Sequence, residues 1–85
     1  MQRIEYVIQD ELGIHARPAG ALVKEAARFL ADIKIKKEGK EADAKRLFSV
    51  MGLAVKSGEC IMITAEGVDE AEAIEAMENF LHSNL

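Results

Sequence analysis

His15 and Arg17, an imidazole and a guanidinium two positions apart, are the pair in this chain best placed to do chemistry together. They lie in Gly13-Ile14-His15-Ala16-Arg17-Pro18-Ala19, where a strand-like pattern gives way to a helix-like one. Pro18, the only proline, has a preset φ and no N–H, so it suits the first turn of a helix and not its interior. Gly13 allows a sharp turn out of the preceding strand. His15 is therefore predicted at or beside the N-cap of a helix, with Arg17 in its first turn. The first N–H groups of a helix lack intrahelical partners, and the positive end of the dipole points outward there. Such a place accepts an anion, and phosphate is the usual one. A neutral imidazole at that spot is a nucleophile facing a phosphate cradle, and Arg17 can offer a fork of donors to phosphoryl oxygens. The dipole and Arg17 are both expected to disfavour the imidazolium and so to leave His15 nucleophilic. A histidine in a loop is more often plain surface; the helix start and the nearby arginine are what single this one out.

The elements that must position this pair follow from periodicity. Residues 3–8 alternate, with Ile4, Tyr6 and Ile8 on one side and Arg3 and Glu5 on the other, a half-buried strand. Asp10-Glu11-Leu12-Gly13 is the loop that leads to His15. From Ala16 to about Leu30 the period becomes helical: Ala19, Leu22, Val23, Ala26 and Phe29 or Leu30 line one face, and Lys24, Glu25 and Arg28 stay wet. Residues 32–37 alternate again, Glu38-Gly39-Lys40 signals a hairpin turn, and a short polar edge strand is expected over about 40–44. Leu47, Phe48 and Met51 suit a short amphipathic helix, with Gly52 and Gly58 at its irregular exit. Residues 60–66 form the clearest strand, with Ile61, Ile63 and Ala65 on one face and Cys60, Met62 and Thr64 on the other. Asp69 and Glu72 have capping-box spacing, and the last helix presents Ala73, Ile74, Met77, Phe80 and Leu81. The order β-α-β-β-α-β-α, with one apolar face per strand, predicts an antiparallel sheet whose other face is wet, covered on one side by three helices.

Eighty-five residues make one domain, residues 1–85, with a modest core. An apolar fraction of 49% and a charged fraction of 31% suit a soluble globular chain. No run reaches transmembrane length, and the first residues show no signal-peptide core. The one cysteine excludes an internal disulfide and offers no zinc cluster, which points to a reducing, cytoplasmic setting. A net charge of −4 argues against nucleic acid as a partner. Cys60 reads as a partly exposed thiol without catalytic surroundings, His82 as a surface residue complementing the last helix's dipole, and Glu66 to Glu78 as a solvated acidic face.

The run Gly13 to Ala19 resembles the active-site signature of the HPr family, the histidine-containing phosphocarriers of the sugar phosphotransferase system. Lys45 to Gly58, with Leu47, Phe48, Val50, Met51 and Leu53, is similar to that family's second signature region, and Ile61 to Asp69 to its last strand and turn. The resemblance runs without gaps over essentially the whole chain. It implies an α+β fold, the HPr-like open-faced β-sandwich: a four-stranded antiparallel sheet with three helices on one face. It implies that His15 takes a phosphoryl group on Nδ1 from phosphorylated enzyme I, which is charged by phosphoenolpyruvate, and passes it to the enzyme IIA domains of sugar permeases. Ala16, Arg17 and Pro18 are the phosphoryl-stabilising positions that it implies. The chain is then a carrier and not an enzyme. The open sheet face with Met62 and Cys60 offers a weak pairing surface, but a monomer is expected, with no cofactor and no metal. This agrees with what a carrier needs: backbone N–H groups and one arginine hold a phosphoryl group reversibly, where a metal or a buried cage would hold it too tightly.

Gly20, Leu47, Phe48 and Met51 match the apolar patch that the family presents around its histidine, and Lys24 matches a basic docking position. Phe48 and Met51 are expected to be exposed, because so short a helix cannot bury every side, and Met suits a surface that meets several partners. Leu47 suits either the core or this surface. The chain departs from the family pattern at Arg46, where many members carry a serine that a kinase phosphorylates; Ser49 matches a different position. That puts serine-kinase regulation in doubt and leaves the transport histidine in place. A relay other than sugar transport, nitrogen-related or feeding a dihydroxyacetone kinase, and a non-phosphorylated adaptor acting through Phe48 and Met51 are the other readings.

Overall fold

The computed structural model describes residues 1–85. Its elements are β1 (Gln2–Val7), α1 (Ala16–Ala26), β2 (Asp32–Lys37), β3 (Lys40–Asp43), α2 (Leu47–Gly52), β4 (Cys60–Glu66) and α3 (Glu70–Asn84). The four strands form one antiparallel sheet in the order β1-β4-β2-β3. β4 lies between β1 and β2, and its pairing puts Ile63 beside both Ile4 and Ile35. The helices bury the same face: Leu22 and Ala26 of α1, Val50 of α2, and Ala73, Met77 and Leu81 of α3 join Ile33, Ile35, Ile61, Ile63 and Ala65 in one core. Each of the large aliphatic side chains contributes about 1.5–3 kcal/mol by leaving water. This is the open-faced sandwich, and the alternation of apolar residues in the strands is what sets its buried face.

The bounds of β2 and β4 are those read from alternation. The Glu38-Gly39 turn closes the β2–β3 hairpin with positive φ at both residues, 47° and 80°, the backbone that a two-residue hairpin loop uses. Thr64 shares the open face with Cys60 and Met62, yet it is buried. It is central in the sheet, and its cross-strand neighbours Arg3 and Lys34 flank it with long side chains.

Other expectations give way to tertiary contacts. α1 stops at Ala26, not near Leu30. Beyond it the Asp69 carboxylate accepts the N–H groups of Leu30 and Ala31 at 2.8 and 2.7 Å, and Lys45 Nζ donates to the Phe29 oxygen at 2.7 Å. Leu30 is left 82% exposed, and Phe29 packs against the core. Because Asp69 is used in this way, it makes no side-chain cap to α3 and the Asp69–Glu72 capping box does not form; Glu70 reaches back to the Gly67 N–H instead. At the end of α2, Gly52 stays in the helix and the left-handed residue is Ala54, with φ 51°. Lys37, unremarkable in the sequence, reaches that same end: its ammonium donates to the Leu53 and Ala54 oxygens at 3.2 and 3.0 Å and pairs with Glu59 at 2.9 Å. His82 is exposed but not idle, since its ring meets Tyr6 edge-on at 5.2 Å.

Candidate functional site

The loop between β1 and α1 is held tightly before it reaches His15. The N–H groups of Gln9 and Asp10 both donate to the Leu85 main-chain oxygen, at 2.6 and 3.0 Å. Asp10 then closes a turn: its Oδ1 accepts the Leu12 N–H at 2.8 Å and its main-chain oxygen accepts the Gly13 N–H at 2.9 Å. Gly13 has φ 68°, and a Cβ there would come within 2.2 Å of the Val55 oxygen. Only glycine allows that approach, and it lets the Ile14 N–H donate to the same oxygen at 3.1 Å. The loop is thus clamped between the end of α3 and the connection leading to β4.

His15 is the N-cap residue of α1, extended at φ −97° and ψ −176°, and its side chain makes no cap bond. Its own carbonyl accepts the Ala19 N–H at 3.0 Å. The N–H groups of Ala16 and Arg17, the first two of the helix, have no protein acceptor. Pro18, third in the helix, is buried and has no N–H to offer; it shapes the turn and contributes no donor. Arg17 is exposed and belongs to none of the ion pairs. His15 is half-buried, and its Nε2 lies 3.8 Å from Asp10 Oδ2.

An open depression of about 200 Å³ brings His15, Arg17 and Pro18 together with Asp10, Ala21 and Asn84. The last three were missed in the sequence. The Asp10 side chain could have been found, since an Asp that opens a turn often accepts the N–H two residues on; nothing in the local pattern marks Ala21 or Asn84. The arrangement offers free main-chain donors, a free guanidinium and an imidazole that can reach solvent. These suit a transient phosphoryl group. No group of three His, Cys, Asp or Glu side chains converges to hold a metal ion.

Outside the depression, α1 and α2 pack against each other and present the second set of residues. Phe48 is 85% exposed and Met51 37%, while Val50 of α2 and Leu53, the residue after it, are buried. Leu47 falls between, partly buried against the core. Lys24 is exposed, and a Cβ at Gly20 would meet nothing within 4 Å, so internal packing does not require a glycine there. Arg46 is the N-cap residue of α2, makes no side-chain cap bond, and places its Nε 3.8 Å from Asp43 Oδ2. No helix is long and apolar enough to cross a membrane.

Comparison with known proteins adds to this geometry. The family model described as "PTS HPr component phosphorylation site" matches residues 2–83. The phosphocarrier protein HPr of Lysinibacillus sphaericus is 42% identical over 81 residues, covering 95% of this chain and 92% of that protein. Among solved structures, the histidine-containing phosphocarrier protein of Mycoplasma superposes with a TM-score of 0.94 at 36% identity, covering 96% of this chain and 93% of the other. The phosphocarrier protein HPr of Bacillus anthracis gives 0.88 at 41%, with coverages of 94% and 95%.

Proposed function

Because this chain belongs to the HPr family, the phosphocarriers of the phosphotransferase system and not enzymes in their own right, we propose that His15 is the residue that carries the phosphoryl group, on Nδ1. Phosphorylated enzyme I is the donor and enzyme IIA domains of sugar permeases are the acceptors, a relay that runs in the cytoplasm. The observation that carries this reading is the position of His15 at the N-cap of α1, in one depression with Arg17 and beside the free N–H groups of Ala16 and Arg17. Free donors at a helix start suit the oxygens of a phosphoryl group carried on a neighbouring imidazole. The guanidinium adds a fork to the same oxygens. Pro18 holds the turn that sets these groups in place. All of them come from one chain, so the chemistry needs no second copy.

Gly20, Lys24, Leu47, Phe48 and Met51 form the docking surface in this reading. An apolar patch with a basic rim desolvates well against a partner, and Phe48, with almost its whole ring in water, is its natural anchor. Arg46 presents no hydroxyl, so the chain is not a substrate of the serine kinase at that position.

The test is phosphoryl transfer from phosphoenolpyruvate through enzyme I, read by intact mass and by acid lability. The native chain should gain one acid-labile, base-stable phosphoryl group, and His15→Ala should gain none. Undiminished labelling of His15→Ala would move the site elsewhere. A native chain that binds enzyme I and takes no label would be an adaptor.

A further inference from the structure

Asp10 carries the one acidic side chain within ion-pair distance of the His15 ring. Its place is fixed from several sides: its N–H is bonded to the Leu85 oxygen, its carbonyl to the Gly13 N–H, and its Oδ1 to the Leu12 N–H. The remaining oxygen, Oδ2, is therefore held toward His15 Nε2, at 3.8 Å, and both side chains line the depression that contains Arg17. That separation is too long for a hydrogen bond, but bonds of this kind often tighten only when the reactant arrives.

We propose that Asp10 is a positioning residue that keeps the His15 proton on Nε2 and so presents an unprotonated Nδ1 to the phosphoryl group, an assignment that rests on the phosphocarrier reading above. A neutral imidazole has one N–H and one lone pair, and which nitrogen has which is set by what the other nitrogen faces. A carboxylate only accepts, so beside Nε2 it favours the proton there. The Nδ1 lone pair then attacks phosphorus. The N–P bond forms as the bond from phosphorus to the donor breaks, and the donor keeps that electron pair. The Nε2 proton stays on the ring throughout, and the positive charge that the ring gains is met by Asp10. The next acceptor takes the phosphoryl group by the same steps, and the electron pair of the N–P bond returns to Nδ1. The two sides of the imidazole are thus divided: donors, from Arg17 and the helix start, face the phosphoryl oxygens, and an acceptor faces the ring proton.

Asp10→Asn separates this role from the turn. The asparagine keeps an oxygen to accept the Leu12 N–H, but its amide can donate to Nε2 and drive the ring proton to Nδ1. Nitrogen-15 spectra of the unphosphorylated native chain should show the Nε2–H tautomer, and Asp10→Asn should shift a substantial share to Nδ1–H. Its initial rate of phosphoryl uptake from enzyme I should fall about tenfold, the order of one lost charge-assisted hydrogen bond, with the unfolding midpoint unchanged. Asp10→Glu, whose carboxylate can still reach the ring, should restore the Nε2–H tautomer. An unchanged tautomer in Asp10→Asn overturns the assignment, as does a rate loss matched by an equal loss of thermal stability. The spectra need no partner protein, so they decide the role of Asp10 even if the native chain takes no label and the carrier reading fails.

Discussion

Ala54 is held at φ 51° just past Leu53, the C-cap of α2, where the chain turns toward β4. For an L-residue with a Cβ this backbone costs about 1–2 kcal/mol, and helices commonly end on glycine for that reason. The strain is held by what surrounds it: the Ala54 N–H donates to the Met51 oxygen at 3.0 Å, and the Ala54 oxygen accepts from Lys37 Nζ. Lys37 is only 10% exposed, and its ammonium takes two main-chain oxygens and the Glu59 carboxylate. Those bonds cap a helix end whose carbonyls would otherwise lack partners. Ala54→Gly should therefore stabilise the protein. The added freedom of the unfolded glycine takes back part of the gain, leaving roughly 0.5–1 kcal/mol and an unfolding midpoint roughly 2–8 °C higher. Thermal unfolding checks this; a lower midpoint would mean that Ala54 is at ease in its native backbone.

α2 is a helix of six residues whose start is left uncapped. Asp43 is spent nearby: its Oδ1 accepts the Lys45 N–H at 2.9 Å and its main-chain oxygen the Arg46 N–H at 3.0 Å, so it shapes the approach and does not reach into the helix. Arg46 has no acceptor to offer and sets a positive charge at the positive end of the dipole. A serine would accept a first-turn N–H. Arg46→Ser should raise stability by about 0.5–2 kcal/mol, since the exposed pair with Asp43 that it removes is worth little. A calorimetric midpoint that is unchanged or lower would show that α2 draws no benefit from a cap. The existence of α2 and its exposed Phe48 were legible in the sequence, as were β2 and β4, because alternation and amphipathic spacing record which face is buried. His15 and Arg17 at a helix start were legible too, because Pro18 fixes that start. What could not be read is where an element ends when a distant residue ends it. α1 closes through Asp69, which lies 38 and 39 positions beyond the two residues it binds, and that same use removes the capping box that the spacing of Asp69 and Glu72 suggests. Asp10 is legible only as a turn closer; where its second oxygen is aimed depends on the bond that its N–H donates to the distant Leu85 oxygen, which the sequence does not record.

Across the whole molecule, carboxylates tie the connections together. Asp69 joins the α1–β2 loop to the start of α3, Glu59 joins the approach to β4 to Lys37 and to the Lys56 N–H, and Glu41 joins β3 to Lys34 of β2. Each is held below the ordinary carboxylate range. For Asp69 the first cause is the Leu30 N–H, helped by that of Ala31; for Glu59 it is the Lys37 ammonium, then the Lys56 N–H; for Glu41 it is Lys34. A group whose pKa is depressed by folding binds its proton more readily when unfolded. Its contribution is thus fully present above the unfolded carboxylate range and is lost as pH falls through the folded value. The unfolding midpoint should be nearly level through neutral pH and fall steadily once acid reaches the carboxylates. Asp69 is the most telling of the three, because its partners are main-chain N–H groups that carry no charge and do not titrate. Asp69→Asn keeps one oxygen for Leu30 or Ala31 and has no proton to take up, so at neutral pH it should be less stable than the native chain, with a shallower decline in acid. The two curves should converge as pH drops. Midpoints measured from neutral to strongly acidic pH check this: parallel curves, with the variant's deficit undiminished in acid, would show that Asp69 acts through shape and not through its charge.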